Sequence, residues 1–330
     1  MNEAAEKLDV VSFGEILWDV FEVKPGTFVR ELGGAPANLA VTLARLGIRA
    51  AVVGGVGRDR FGDDLHAFLT ANGVDARFLI RLANRTGIAF VSRDENGEPS
   101  FLFYRHQTAD MSIEPKHVTP AMSQATWTLI GTSTLMPAGL ARAGLAEATH
   151  RFVQNTCKSG AHLVVDLNVR AHLWKNEAGM RRAIAGVLEH AMLVKASSAD
   201  LVALGVGDER AGFAWTRKYA KKASIVITRG KGTAAAIGAH GEVGSAAKPA
   251  RCVDATGAGD AFTAGVLASL CAARAVPDAA AWKSAKMWTR ALAVGHMLGA
   301  KAVSKRGAVS GIVGLAKPLA ALERLRNESS

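Results

Sequence analysis

Short apolar runs at 9–13, 50–54, 128–131, 162–166, 193–195 and 225–228 recur along this chain, and helix-patterned stretches separate most of them. Leu39, Leu43 and Leu46 fall on one helical face before Gly47, and Leu65, Phe68 and Leu69 precede a stop at Asn72-Gly73. Strand and helix in alternation bury their apolar faces best as a mostly parallel sheet with helices on both sides. Two segments break the pattern. Residues 16–32, with Pro25-Gly26 at the middle, and 87–105, with a turn at Glu95-Asn96-Gly97, read as hairpin excursions. Together they predict a small accessory β-sheet, a lid. The expected fold class is therefore α/β, a mostly parallel central sheet flanked by helices. Apolar residues make up 49% of the 330, which is enough for a large core, and no repeat or linker divides them. A single domain over 1–330 is expected.

Several function classes drop out early. The three cysteines, Cys157, Cys252 and Cys271, are scattered without a CxxC spacing, which suits a reducing cytoplasm and argues against a zinc knuckle. The start MNEAAEKLDV lacks a signal peptide's apolar core, and no run approaches a membrane span of roughly 20 residues. A cytoplasmic protein with no membrane partner is expected. The net charge of +11 comes from dispersed Lys and Arg, with few aromatics between them, which argues against a nucleic-acid groove. No Walker A pattern, GxSxG elbow, HExxH or GxGxxG occurs.

The densest chemistry lies in 253–265. Asp254 and Asp260 bracket a run of small residues, and Phe262, Val266 and Leu270 then follow at spacings of four. That is a loop opening into a helix. The amides of Gly257, Ala258 and Gly259 would lie at the positive end of the helix dipole, where anions bind. A carboxylate beside an anion hole repels a phosphate. It makes sense at Asp260 if its task is to remove a proton from an attacking hydroxyl. The alternative is an Asp-capped helix behind a glycine turn.

Other strand ends carry polar groups as well. Glu15 and Asp19 follow the first apolar run, and Gly33-Gly34 leads through Pro36 to Asn38. Asp166, Asn168 and Arg170 follow a middle run. Either Arg170 clamps phosphoryl oxygens and Asn168 serves a phosphate or metal, or Asp166 and Arg170 pair with each other. Lys195 to Asp200 end another strand. Thr228-Arg229-Gly230-Lys231-Gly232 ends the next, where it would either cradle nucleotide phosphates or make a simple turn. In open α/β sheets ligands bind beyond the carboxyl ends of the strands. These groups would converge there.

Taken together the residues resemble the ribokinase/PfkB family of carbohydrate kinases. Asp254–Asp260 resembles that family's C-terminal signature. Gly33–Asn38, with Gly47 and the glycines at 54, 55, 57 and 62, resembles the N-terminal one. The likeness covers essentially the whole chain, lid excursions included. Within the family, Gly14–Asp19, Leu32–Asn38, Phe103-Tyr104-Arg105 and the pattern from Asp166 to Trp174 resemble the fructokinase-like branch.

The resemblance implies a ribokinase-like fold and an ATP-dependent sugar kinase acting on a primary hydroxyl, fructose to fructose 6-phosphate. Asp260 would be the base. The amides of Gly257, Ala258 and Gly259 would form the anion hole, and Arg170 would meet the phosphate. Asp19, Gly33, Gly34, Asn38, Arg105 and Asn168 would bind the sugar. Ser197, Thr228, Gly230 and Gly232 would contact ATP with its Mg²⁺. Asp254 and Thr256, completed by the loop 304–310, would hold a monovalent cation, K⁺ in many members. A homodimer through the lid is also implied. Three departures stand out: Ser197-Ser198-Ala199-Asp200 replaces Asn-x-x-Glu, the loop at 228–232 is one residue short, and Ala255 replaces a frequent Thr. The shared motifs also admit 2-keto-3-deoxygluconate, ribose or a nucleoside as acceptor. A non-catalytic sugar- or nucleic-acid-binding protein on the same fold is the alternative of another class.

Overall fold

A computed structural model describes residues 7–93, 99–136, 144–315, 322, 323 and 327. The turn expected at 95–97 lies outside them. Two sheets organise the chain. The larger contains β1 (Leu8–Phe13), β4 (Ala50–Gly57), β5 (Leu79–Leu82), β8 (Ala125–Gly131), β9 (His162–Asp166), β10 (Ala191–Ser197), β11 (Ser224–Arg229), β12 (Thr233–Gly238) and β13 (Gly241–Ala246). Its order is β13-β12-β11-β10-β9-β8-β1-β4-β5, and pairing is parallel except at β12 and β13. The smaller holds β2 (Leu17–Lys24), β3 (Thr27–Gly33), β6 (Gly87–Arg93) and β7 (Pro99–Tyr104) in the order β3-β2-β6-β7. The two excursions meet in this lid, through a parallel β2–β6 pairing.

Helices α1 (Ala35–Arg45), α2 (Arg60–Ala71), α3 (Gly144–Ser159), α4 (Glu177–Leu188), α5 (Ser198–Ala203), α6 (Glu209–Tyr219), α7 (Ala258–Ala272) and α8 (Ala285–Ala302) cover the large sheet. Strand alternation decides which face each residue serves. Val11 and Phe13 of β1 enter one core with Ile130, Phe152, Val165 and Ile184. Val10, just before them, enters the opposite core with Leu39, Leu43, Trp127, Val164 and Leu267. Both faces of β1 are thus sealed, and its polar Ser12 is buried as well, donating to the Pro36 carbonyl oxygen at 2.8 Å. Among the described residues no helix is long and apolar enough to cross a membrane.

The chain runs from β1 outward to β4 and β5, then returns to the other side of β1 with β8, β9, β10 and β11. This reversal leaves a crevice beyond the carboxyl ends of β1 and β8. The lid stems start there, since β2 follows β1 and β6 follows β5. Three expectations shift. The strand expected at 50–54 continues to Gly57 and absorbs part of the glycine-rich loop. The helix expected from 261 begins at Ala258. The hairpin β12–β13 extends the sheet beyond the last expected strand. Its Ala234, Ala235 and Ala236 carry no β-branched signal, yet all are buried.

Candidate active site

The crevice holds a cavity of about 300 Å³, near the small end of ligand pockets. Its walls come from most of the strand ends singled out in the sequence. They include Glu15, Asp19, Gly34, Asn38, Arg105, Asn168, Arg170 and the run Ala255–Asp260. Gly33 ends β3 beside this wall, so close to the Asp19 carboxyl that a Cβ there would lie 2.6 Å from it. Ser197, Thr228, Gly230 and Gly232 do not line this cavity.

The anion hole is a matter of backbone. Gly257 is the N-cap of α7 in the left-handed region (φ 75°), and no side chain caps the helix. A side chain at 257 would be strained by φ and would press on Ala308, 2.4 Å from its Cβ; αL alone costs about 1–2 kcal/mol for an L-residue. The expected alternative, an Asp N-cap, is therefore not realised. Asp260 sits in the first turn, and its Oδ2 accepts from Asn38 Nδ2 at 2.9 Å. Asn38 is delivered by α1, whose N-cap Gly34 has φ 98° and would drive a Cβ to 2.2 Å from the Glu15 carbonyl oxygen. The two glycine motifs thus meet at one hydrogen bond across 222 residues.

Burial raises the pKa of Asp260, against the pull of the Asn38 hydrogen bond and the Lys195 charge. Asp19, 5% exposed, is pushed up to about 8 by burial and then by the Asp260 and Asp254 charges. Glu15 accepts from Ser133 Oγ at 2.9 Å. Asn38 Oδ1 is buried without a protein hydrogen-bond partner.

Sequence reasoning missed the role of Lys195. Its ammonium lies 3.3 Å from Asp166 Oδ1 and 3.1 Å from where a Cβ on Gly259 would stand. Burial works against the ammonium, and Asp166, Asp200 and Asp260 together outweigh it, so its pKa is raised. Asp166 is thereby paired with Lys195 and not with Arg170, which leaves Arg170 on the cavity wall. Two β-strands put this pair side by side, because Lys195 and Asp166 are register partners. A lysine inside an apolar strand is the signal that could have found it.

The replaced segment 197–200 has a structural task. Ser197 Oγ and the Asp200 carboxylate form a capping box on α5, while Asp200 Oδ1 accepts from Val169 N at 2.7 Å. That bond ties the loop carrying Asn168 and Arg170. Thr228 is half-buried near the end of β11, and 229–232 is exposed, with Gly230 at φ 56°. Asp254 is buried; Oδ1 accepts from Thr256 N and Oγ1, and Oδ2 from Gly307 N at 2.9 Å. It lies behind the hole, against the 304–310 loop. Among the described residues no cluster of three His, Cys, Asp or Glu side chains could hold a metal ion.

A second cavity, about 600 Å³, lies where α8 meets the segment after β13. Val294, Met297, Ala300 and Pro249 give it apolar walls, and Lys248 and Arg290 stand at its side. Gly299 of α8 would bring a Cβ within 3.4 Å of the Ala258 carbonyl oxygen. The α8 helix therefore links this cavity to the anion hole.

Comparison with known proteins agrees with this geometry. The model of the pfkB family carbohydrate kinases matches residues 7–313. A fructokinase from Klebsiella pneumoniae is 31% identical over 91% of this chain and 94% of its own. The crystal structure of a fructokinase with bound ATP from Xylella fastidiosa superposes with a TM-score of 0.82 at 29% identity, covering 97% of this chain and 98% of that one. A double mutant of the Vibrio cholerae O395 fructokinase, with fructose, ADP and potassium ion bound, gives 0.81 at 25% identity over 97% and 98%.

Proposed function

The chain belongs to the pfkB family of carbohydrate kinases, and from that premise we propose that it transfers the γ-phosphoryl group of ATP to the 6-hydroxyl of fructose. The observation that carries this reading is the Asp260 carboxylate, held by Asn38 in the first turn of an uncapped helix that opens on a small polar cavity. The fructokinases among its relatives support the choice of sugar.

The sugar fills the cavity of about 300 Å³ under the lid. Asp19, Glu15 and the partnerless Asn38 Oδ1 accept from its hydroxyls, Arg105 and Asn168 donate, and Gly34 lets the backbone approach. Asp260 removes the proton as the hydroxyl oxygen attacks phosphorus and ADP leaves. Negative charge spreads over the transferring group in such a loose transition state, so positioning and electrostatics carry most of the rate. The amides at 257–259, Lys195 and Arg170 surround that charge. Closing the lid excludes water that would otherwise hydrolyse ATP.

The nucleotide base takes the cavity of about 600 Å³ against α8, and its phosphates follow α8 to the anion hole. The turn 228–232, with Thr228, Gly230 and Gly232, flanks the phosphates from outside. Ser197 acts by fixing α5 and the Arg170 loop. Mg²⁺ neutralises phosphate charge when bound and needs no cage of protein carboxylates, because it keeps most of its waters. K⁺ would be held by Asp254 and Thr256 with the 304–310 loop, since the buried Asp254 carboxylate and the Thr256 hydroxyl are hard oxygen donors that fit it.

One kinase domain spans 1–330, with the lid built from both excursions. Phe28, Leu102 and Tyr104, each more than half exposed on that lid, support a homodimer formed there, to be read by light scattering. The exposed free thiols of Cys157 and Cys252 support a cytoplasmic location. A coupled ADP-release assay over fructose, ribose, 2-keto-3-deoxygluconate and a nucleoside tests the function. Fructose should lead in kcat/KM; another acceptor 100-fold better (about 2.7 kcal/mol) would overturn the choice of sugar.

A further inference from the structure

Arg105 reaches the sugar cavity from the end of the lid, yet its charge is already spent. Asp110 Oδ2 accepts from Arg105 Nε at 2.7 Å and from Nη2 at 2.6 Å. The Asp110 side chain is fully buried and Arg105 is 12% exposed. Thr108 Oγ1 lies 2.6 Å from the other Asp110 oxygen, and Gly87, the first residue of β6, leaves room for that same oxygen. Asp110 does not line the cavity; it stands behind Arg105. One bidentate edge of the guanidinium is thereby occupied, and the N–H groups that remain for a ligand belong to a pair with no net charge. Glu15 lines the same cavity and its charge also acts on Arg105, while Asp19 on that wall holds its proton up to about pH 8.

We propose that Asp110 is a positioning residue that locks Arg105 as a neutralised hydroxyl reader and so makes the sugar site select a neutral acceptor over one bearing a carboxylate. The proposal rests on the sugar-kinase reading above. A sugar acid presents a carboxylate that wants a bidentate, uncompensated guanidinium. Here it meets a guanidinium already forked onto Asp110 and the Glu15 carboxylate on the same cavity wall. A neutral ketose needs only hydrogen-bond donors in fixed places, and the locked Arg105 supplies them. The discrimination comes as much from repulsion of the wrong acceptor as from attraction of the right one.

Asp110→Asn tests this. With Asn at 110 the guanidinium turns loose and carries a whole charge into the cavity. The expected results are a rise of about tenfold in KM for fructose, kcat within about threefold, and an unchanged KM for ATP. The ratio of kcat/KM for 2-keto-3-deoxygluconate to that for fructose should climb at least about thirtyfold. A general loosening of the fold would lower kcat and disturb ATP as well, and would leave that ratio where it was. Arg105→Met with Asp110→Asn together should be no worse on fructose than Arg105→Met alone, because Asp110 acts only through Arg105. If Asp110→Asn fails to fold, Thr108→Val slackens the same carboxylate. Its fructose KM should rise about threefold at constant kcat, and a KM equal to that of the parent would overturn the proposal. An unmoved acceptor ratio in folded Asp110→Asn, or full additivity in the double variant, overturns it too. Should the parent enzyme phosphorylate no sugar at all, the kinase reading fails, a result separate from an active parent whose Asp110 variant keeps its selectivity.

Discussion

The sugar end of the cleft and its nucleotide end are built in opposite ways. At the sugar end buried polar groups are held by partners: Asp260 by Asn38, Lys195 by Asp166, Arg105 by Asp110. Each of these groups hangs from a strand or helix of the core or from the lid stem. At the nucleotide end the turn 229–232 is exposed, and the wall of the larger cavity includes Met297, 41% exposed. The difference follows from what each end does. A transferring phosphoryl group needs charges held in place before it arrives, since fixed dipoles cost no reorganisation during reaction. A base and ribose need apolar surface and little else.

This contrast makes graded predictions. The largest effect belongs to Asp260→Asn, which should fold, bind both substrates, and lose roughly 10³-fold in kcat, within the range for a general base. Near-parent turnover in a stopped assay would remove Asp260 from the chemistry. Next comes Lys195→Met, expected to cost about 10² in kcat as a lost oxyanion partner. It should also lower Tm, because Asp166 is left buried without its cation; a normal kcat with a lowered Tm would make Lys195 structural only.

Acidity offers a third handle. The Asp260 base must be ionised, and burial raises its pKa, so kcat should rise with pH across a transition above the usual carboxylate range. Stability should move the other way through Asp19, whose pKa is about 8 when folded and 3.8 ordinarily. Between those values the folded protein keeps a proton that the unfolded chain releases, so stability present below 3.8 is lost as pH climbs through about 8. Asp19→Asn should flatten the fall in Tm across that window, and an unchanged slope would disprove the link. The smallest effect is reserved for the nucleotide end. Met297→Glu should raise the KM for ATP about fivefold by putting a charge into the apolar wall that receives the base, with kcat and the fructose KM untouched. A collapse of kcat there would erase the contrast between the two ends.

Legibility in the sequence follows the same divide. Asp260, Asn38 and Gly34 could be found because backbone conformation and local spacing demand those residue types, and such demands are written locally. The strands were legible in part: β1, β9 and β11 announce themselves by β-branched runs, whereas β12, an alanine strand, does not. The Lys195–Asp166 pair was not legible, since two residues 29 apart become neighbours only through strand register. Asp110 was hidden for a related reason. It lies just past the lid in a stretch with no motif, and its meaning comes from Arg105 folding back on it. At the nucleotide end, Thr228–Gly232 resembled a phosphate loop, but a short exposed turn carries too few fixed contacts to distinguish a cradle from a connection.

The lid has a consequence for anyone who would re-engineer the enzyme. Its four strands enter the protein at two places, β2–β3 between β1 and α1 and β6–β7 after β5, and the halves are sewn together by the β2–β6 ladder from Leu17–Gly87 to Phe21–Val91. Acceptor preference is therefore not a cassette. Transplanting one half from a relative would set a foreign strand against a native seam, and only a paired exchange that keeps both splice points in register would carry a new specificity across intact.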